Sequence, residues 1–333
     1  MKALAYEKAH TLDAFAITLA DVAEPRPRDG DLLVEIRAIG INPGEAAIRR
    51  TRSAEPGGRV ILGWEFAGVV AAVGPAVTGF AVGDRVMGTG DVTRDGSWAE
   101  RVAVDHRVVA RIPDGLAFTD AASLPIGVLT AWESLFRDQD ALPAGVGRVL
   151  VLGGAGGVGS MATQLLKTTT PAFVISTASR PESRKWATAM GADLVVDHRG
   201  DLAGQLRAAG IDHVDLVFST AGTSGHLGAI VEVLRPFGHL AAIDLTGSFD
   251  LEAFTAKSLS LHSEMVFSKL VAGGDVASQG RILARAVDDV VAGRLRPIVT
   301  TTLEGLTAET MKAAHVLAES GRTIGKTVIQ VAA

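Results

Sequence analysis

The sequence predicts an α/β fold in two lobes, one a bent antiparallel β-lobe and the other a doubly wound parallel sheet flanked by helices. Three observations predict it: the length, a first third of short apolar runs punctuated by glycine, and a change after about Leu124 to alternating strand and helix. At 333 residues the chain exceeds what one hydrophobic core usually organises. With 47% hydrophobic and 21% charged residues, 38 glycines and 12 prolines, it has enough apolar side chains to fill a large interior, unlike a disordered chain.

In the first third, apolar runs at residues 32–36, 68–74, 84–87 and 101–104 read as strands. Gly63, Gly68, Gly74, Gly79, Gly83 and Gly88 recur between and within them, as a strongly bent sheet requires. Tyr6, the single tyrosine, falls on an expected N-terminal strand and reads as a packing residue. Beyond Leu124, β-branched runs at residues 148–152, 173–177, 194–197, 214–218 and 239–243 predict parallel strands. Helical spacing over 158–168, 181–190 and 224–234 supplies the crossovers, each with a glycine or proline near an end. Residues 257–264 read as extended. Residues 276–292 place Ile282, Leu283, Ala286, Val287, Val290 and Val291 at helical intervals. A last helix over 308–319 precedes a strand over 327–331, and the chain carries no internal repeat or low-complexity segment.

Composition excludes several function classes. The formal net charge is −5, with Lys and Arg scattered in ones and twos, so no cationic stripe awaits a phosphate backbone and no nucleic-acid partner is expected. No uninterrupted apolar run reaches the roughly 18 residues that a membrane helix needs. Glu7, Lys8, His10 and Asp13 stand where a secretory signal would have its apolar core, which predicts a cytoplasmic location. The absence of cysteine removes disulfides, thiol nucleophiles, iron–sulfur clusters and thiolate zinc sites together.

The sharpest motif follows the first parallel strand: Gly153-Gly154-Ala155-Gly156-Gly157-Val158-Gly159, leading into a helical run. Gly154, Gly156 and Gly159 make the G-x-G-x-x-G pattern of a dinucleotide site. Missing β-carbons allow a tight turn and close approach of the pyrophosphate, and the amides around Gly157 and Val158 open the helix toward it. The plain alternative is a glycine-rich turn with no ligand; the flanking strand, the helix and the further β-α units favour the nucleotide.

About 20 residues further on, an NAD site would place a carboxylate for the adenosine ribose. Thr177-Ala178-Ser179-Arg180 stands there instead, followed by Arg184 and Lys185. A hydroxyl and a guanidinium fit the additional phosphate of NADPH, so NADPH is the expected cofactor. Arg184 and Lys185 read equally well as a solvated helix face. Thr220, just past the strand at 214–218, joins the expected cofactor-binding set.

Taken in order, Ile41-Asn42-Pro43, Leu62-Gly63-Trp64-Glu65-Phe66-Ala67-Gly68, Val82-Gly83-Asp84-Arg85-Val86, Leu124-Pro125, Leu129-Thr130-Ala131-Trp132, the glycine loop and Ser258-Leu259-Ser260-Leu261-His262 resemble the medium-chain dehydrogenase/reductase superfamily. Within it, the chain resembles the zinc-lacking quinone oxidoreductase branch and bacterial proteins called zinc-type alcohol dehydrogenase-like. The resemblance implies a GroES-like catalytic domain from residues 1–125 and 265–333 and a Rossmann domain from residues 126–264, with the active site in the cleft between them. It also implies a homodimer joined along Rossmann sheet edges near residues 259–262.

Zinc-dependent relatives hold their metal through a cysteine near residues 41–44, a Gly-His-Glu motif and usually a second cysteine. Here Asn42 occupies the first region, Trp64 replaces the histidine, and the eight histidines include no closely spaced pair, so no metal is expected. An isolated ketone needs a Lewis acid or a proton relay, whereas an enone or quinone takes hydride readily because its π system spreads the charge. The expected substrate is therefore a small conjugated carbonyl compound or quinone.

By family position Asn42 and Thr130 are the expected donors to the substrate oxygen, with the proton coming from water. Their plain alternatives are a turn-ordering role for Asn42 and helix capping for Thr130. Glu65 reads as a buried structural acid, with a catalytic role as the minor alternative; Trp64 and Trp132 read as packing aromatics, Trp64 alternatively as a lining of the substrate pocket; and His262, Glu264 and Phe267 read as packing or dimer residues or as a border of the nicotinamide end of the cleft. Lys326 reads either as a cofactor contact or as an exposed lysine at a strand end. Two other functions fit the same motifs: an enoyl-thioester reductase, which needs a cationic cleft mouth, and a catalytically silent NADPH-binding redox sensor.

Overall fold

The computed structural model describes residues 1–137, 140–247 and 249–331. The chain divides into two compact units, Met1–Ile126 with Phe267–Ala333, and Gly127–Val266. No helix among the described residues is long and apolar enough to cross a membrane.

The first unit opens with an antiparallel ribbon of β1 (Lys2–Ala5) and β2 (Thr18–Asp21). It continues through β3 (Asp31–Gly40), α1 (Pro43–Arg49), β4 (Glu65–Val73), β5 (Arg85–Thr89), β6 (Arg101–Asp105), β7 (Val109–Arg111) and α2 (Phe118–Ala121). Strand β3 organises the unit. It pairs antiparallel with β4 along most of its length and with β6 over Asp31–Glu35, and its register against β4 slips twice. Each slip inserts a bulge, which bends the sheet around its apolar side. That side is filled by Leu4, Ile36, Phe66 and Trp98, all fully buried. Tyr6 is 2% exposed, as a packing residue should be, although it lies just past β1 in a single bridge to Val60.

The second unit contains all but the first two residues of α3 (Pro125–Leu135), then β8 (Arg148–Leu152), α4 (Gly157–Thr169), β9 (Phe173–Thr177), α5 (Pro181–Ala189), β10 (Leu194–Val196), α6 (Leu202–Ala208), β11 (Val214–Ser219), α7 (Thr223–Val233), β12 (Leu234–Ala242), α8 (Glu252–Thr255) and β13 (Ser260–Ser263). Its six strands run in the order β10-β9-β8-β11-β12-β13, every neighbouring pair parallel. This is the doubly wound order in which successive strands go one way from β8 and then the other. The reversal leaves a crevice at the carboxyl ends of β8 and β11. Strands buried on both faces need continuous apolar runs, and Val149, Leu150 and Val151 of β8 are indeed wholly buried.

The chain then returns to the first unit with α9 (Ser268–Ala272), α10 (Ala277–Val291), β14 (Val299–Glu304), α11 (Ala308–Glu319) and β15 (Lys326–Gln330). β15 pairs antiparallel with β3, Val328 opposite Gly40, and parallel with β14. The sheet order is β14-β15-β3-β4-β5-β7, with β6 attached to β3. The last segment of the chain thereby lies against the end of β3 that leads into Asn42.

Two local expectations are corrected. Strand β12 begins at Leu234, directly at the end of α7, and is longer than the segment 239–243. The stretch 257–264 is extended only over Ser260–Ser263. Lys257 instead donates to the carbonyls of Val231, Glu232 and Leu234, satisfying acceptors that the end of α7 leaves open.

Candidate functional site

The glycine loop occupies the crevice of the parallel sheet. It joins β8 to α4, with Gly156 as the N-cap residue and Gly157 as the first helical residue. A β-carbon on Gly159 would lie 2.3 Å from the carbonyl oxygen of Gly153 and 2.7 Å from Cα of Gly154, so helix and loop touch there backbone to backbone. Gly156 differs. A β-carbon on it would meet nothing closer than 3.5 Å, an ordinary contact. The fold itself does not demand glycine at 156, whereas a pyrophosphate lying against that backbone does. The first amides of α4, including those of Gly157 and Val158, have no partner inside the helix and supply donors and a favourable dipole for an anion. These features fit a dinucleotide.

Thr220 follows β11, whose Ser219 is in register with Leu152 of β8. Its hydroxyl donates to the carbonyl of Leu152 at 2.8 Å, which fixes Thr220 at the rim of the crevice. On the other side, Thr177 ends β9 and its hydroxyl accepts from the amide of Gly153. The crevice thus gathers the glycine loop, the start of the Thr177–Arg180 segment and Thr220.

Past the carboxyl end of β9, Ser179 and Arg180 are half-buried, and Arg180 Nε lies 2.8 Å from Oε1 of Glu182. Arg184 directs its two terminal nitrogens to the carbonyls of Ala178 and Val195, so it ties the ends of β9 and β10 together. Lys185 is exposed on α5. The structure adds a cation that sequence reasoning missed: Arg199 donates to the carbonyl of Ser179 at 2.7 Å and pairs with Asp197, whose carboxyl it holds down at about 2. Arg199 follows β10 in a loop, and only the neighbouring position of β9 and β10 brings it to Ser179.

The first unit holds a buried polar cluster where β3, β4, α1 and β15 meet. Asn42 Nδ2 donates to Oε2 of Glu65 at 2.9 Å, and Lys326 Nζ donates to Oδ1 of Asn42 at 2.6 Å. Lys326 also forms an ion pair with Glu65. The other oxygen of Glu65 accepts from the amide of Ile126 at 2.8 Å. Glu65 is fully buried and Lys326 is 5% exposed, so the reading of Lys326 as an exposed strand-end lysine does not hold. Gly40 leaves the room: a β-carbon there would lie 2.5 Å from Oε2 of Glu65. The second hydrogen on Asn42 Nδ2 has no partner among the described residues, and Asn42 is only partly buried.

Glu45 is a further member that the sequence could have disclosed, because an acid three residues after Asn42 at a helix start is a capping-box signal. Its carboxylate accepts from the amides of Asn42 (2.9 Å) and Trp64 (3.2 Å). Burial pushes the Glu45 carboxyl up to about 8, against the opposing pull of those amides and of Lys326. Between 4.5 and about 8 the folded chain therefore keeps a proton that the unfolded chain has lost. Glu45's contribution to stability is full below that window and falls as pH rises through it. Glu45→Gln, measured by urea unfolding at several pH values, is expected to flatten this decline while costing about 1 kcal/mol or more at low pH through a lost amide bond. An unchanged slope would show that Glu45 does not titrate there.

Trp64 is 3% exposed and packs edge to face on Phe267 at 5.7 Å, while its Nε1 has no hydrogen-bond partner among the described residues. Thr130 lies in the middle of α3, 5% exposed, which excludes the helix-capping alternative. His262 Nε2 is 3.3 Å from the carbonyl of Glu133, and Trp132 stacks at a tilt on Phe136 at 4.7 Å. Among the described residues no three His, Cys, Asp or Glu side chains come together in a group able to hold a metal. The oxygens of Glu45 and Glu65 are already engaged by amides, Asn42 and Lys326. This donor set does not fit a catalytic zinc ion.

Comparison with known proteins follows the same division. Residues 28–114 match the family described as alcohol dehydrogenase GroES-like domain, and residues 190–329 match the one described as zinc-binding dehydrogenase. A zinc-type alcohol dehydrogenase-like protein of Staphylococcus aureus (strain MRSA252) is 33% identical over 99% of this chain and 100% of its own length. A 2-methylene-furan-3-one reductase of Solanum lycopersicum is 29% identical over 99% of this chain and 79% of its own length. A solved structure from Rhizobium etli CFN 42, provisionally named a zinc-dependent alcohol dehydrogenase, superposes with a TM-score of 0.95 at 38% identity, covering 100% of this chain and 98% of that one. With its GroES-like first unit and Rossmann second unit, the chain belongs to the medium-chain dehydrogenase/reductase superfamily and is an oxidoreductase of that family.

Proposed function

We propose that this oxidoreductase uses NADPH to reduce a small conjugated carbonyl compound or quinone without a metal ion. The observation that carries this reading is the Asn42, Glu65 and Lys326 cluster, which presents a free amide hydrogen and a buried ammonium where zinc-dependent relatives have metal ligands. When bound, NADPH supplies a hydride from its nicotinamide ring; two electrons and one hydrogen reach the β-carbon of an enone, its π electrons move to oxygen, and a proton from water completes the product.

This chain's residues bind, orient and stabilise. Gly154, Gly156, Gly157, Val158 and Gly159 cradle the pyrophosphate, Thr220 borders the crevice, and Ser179 with Arg180 reads the ribose phosphate, assisted by Lys185 and Arg199. Asn42 donates to the charged oxygen of the reduced acceptor. A metal-free site of this kind favours acceptors whose own conjugation disperses charge. The name of the tomato relative denotes an enone reductase, which supports that class. Two copies would pair along the free edge of β13, where Leu261 is exposed.

The test is NADPH oxidation measured against quinones, enals, enones and enoyl thioesters, with NADH run in parallel. Turnover of quinones or enones after removal of divalent metals supports the reading; a stoichiometric metal requirement, or strict preference for enoyl thioesters, overturns it. Arg180→Ala is expected to raise the Kd of NADPH about tenfold through loss of a charge-assisted bond, leaving NADH nearly unchanged. Equal weakening of both cofactors would remove Arg180 from phosphate recognition.

A further inference from the structure

We propose that Lys326 acts through Asn42 as a substitute for the positive charge of a metal: its ammonium polarises the Asn42 carboxamide, whose free Nδ2 hydrogen then meets the oxyanion formed on the substrate. The inference rests on the reduction reading above and assigns the electrostatics of the same site.

Four observations carry it. The ammonium sits 2.6 Å from Oδ1, on the carbonyl side of the amide, so its field draws electron density away from nitrogen and strengthens the N–H as a donor. With Lys326 at 5% exposure and Glu65 at none, water screens that field poorly. Glu65 takes one Nδ2 hydrogen and Lys326 takes the oxygen, which fixes the amide plane and leaves a single hydrogen to donate. The mount is rigid as well: Lys326 is the first residue of β15, and the amide of Ile41, next to Asn42, donates to the carbonyl of Thr327.

Stability alone is a poor reason for this arrangement. A buried ion pair often does no more for a fold than well-packed apolar residues of the same volume, because removing two charges from water offsets their attraction. An asparagine clamped between those charges, with one donor left over, has the form of a site prepared for an incoming negative charge. Lys326 is accordingly a positioning residue. The proposal also differs from a cofactor-contact role, which would make Lys326 matter to nucleotide affinity.

The test compares the full-length wild type with Lys326→Met/Glu65→Gln, which removes both buried charges together so that neither is stranded, and with Asn42→Ala alone and combined with that pair. With an acceptor that the wild type reduces, the double variant is expected to lose about tenfold in kcat while its Kd for NADPH stays within about twofold. Introducing the same pair into Asn42→Ala should cost little beyond the loss that Asn42→Ala itself causes, because the charge works through the carboxamide. An unchanged kcat overturns the proposal, as do additive losses or a loss confined to NADPH affinity. A second readout needs no turnover. In 15N-labelled protein the Asn42 side-chain amide protons, identified by their disappearance in Asn42→Ala, should lie downfield of those in the double variant; coincident resonances overturn the proposal. Absence of turnover in the wild type would defeat the reductase reading, whereas variants that behave like an active wild type would defeat only the role of Lys326.

Discussion

Gly156→Ala is expected to keep the unfolding midpoint of the protein and to weaken NADPH binding between about tenfold and a hundredfold, roughly 1.4 to 2.8 kcal/mol. The added methyl finds only the Gly153 carbonyl oxygen, at 3.5 Å, and the N-cap backbone at φ −75°, ψ 176° suits alanine. No strain arises in the empty protein. The cost appears when a pyrophosphate must lie against the backbone amides and meets the methyl group instead. Gly159→Ala is the companion. Its β-carbon would sit 2.3 Å from a carbonyl oxygen, so the loop must shift and stability should fall by about 1 to 3 kcal/mol together with affinity. Equilibrium unfolding and cofactor titration on both variants separate a ligand-driven glycine from a fold-driven one. If Gly156→Ala binds NADPH like the wild type, the loop is a turn and the nucleotide assignment fails at its centre.

The parallel-sheet unit was legible because its signals are local. β8 and β9 are continuous apolar runs, and the glycine loop lies between β8 and its helix within one short stretch of sequence. Helix α11 was legible for a similar reason, its apolar positions recurring within one short stretch of sequence. Elsewhere the pattern failed for physical causes. α3 is buried along its whole length, so Val128, Leu129, Ala131 and Trp132 give no polar face and no helical period. β14 alternates half-buried and exposed positions at the edge of its sheet, with three threonines in a row, so little burial is available to mark it. The polar cluster was half visible: Asn42 and Glu65 stood out by motif, but Lys326 is separated from them by most of the chain, and only the pairing of β15 with β3 brings it to Asn42. Long-range placement of a charge leaves no trace in local sequence, and this is also why Arg199 went unnoticed beside Ser179.

The second large effect is expected at the opposite end of α1 from Asn42. Arg49, the last residue of that helix and fully buried, donates to Nδ1 of His315 at 2.8 Å, to Oε1 of Glu319 at 2.8 Å and to the carbonyl of His10 at 3.2 Å. Because Nδ1 accepts from a guanidinium, the imidazole is neutral with its proton on Nε2, and burial followed by the Arg49 charge pushes its pKa down to about 3. Its folded value lies below the unfolded one, so the unfolded chain binds the proton more readily as pH falls from 6.5 toward 3, and stability should drop across that window. Arg49→Met removes the cation that holds α1 onto α11 and strands the groups it satisfied, an expected loss of about 3 to 5 kcal/mol at neutral pH. The same change withdraws the charge that opposes imidazolium, so the acid decline should become shallower in the variant than in the wild type. Urea unfolding of both proteins between pH 7 and pH 4 reads the two effects together. Parallel pH curves would mean that Arg49 does not control His315, and equal midpoints at neutral pH would mean that the helix carrying Asn42 is anchored by packing alone.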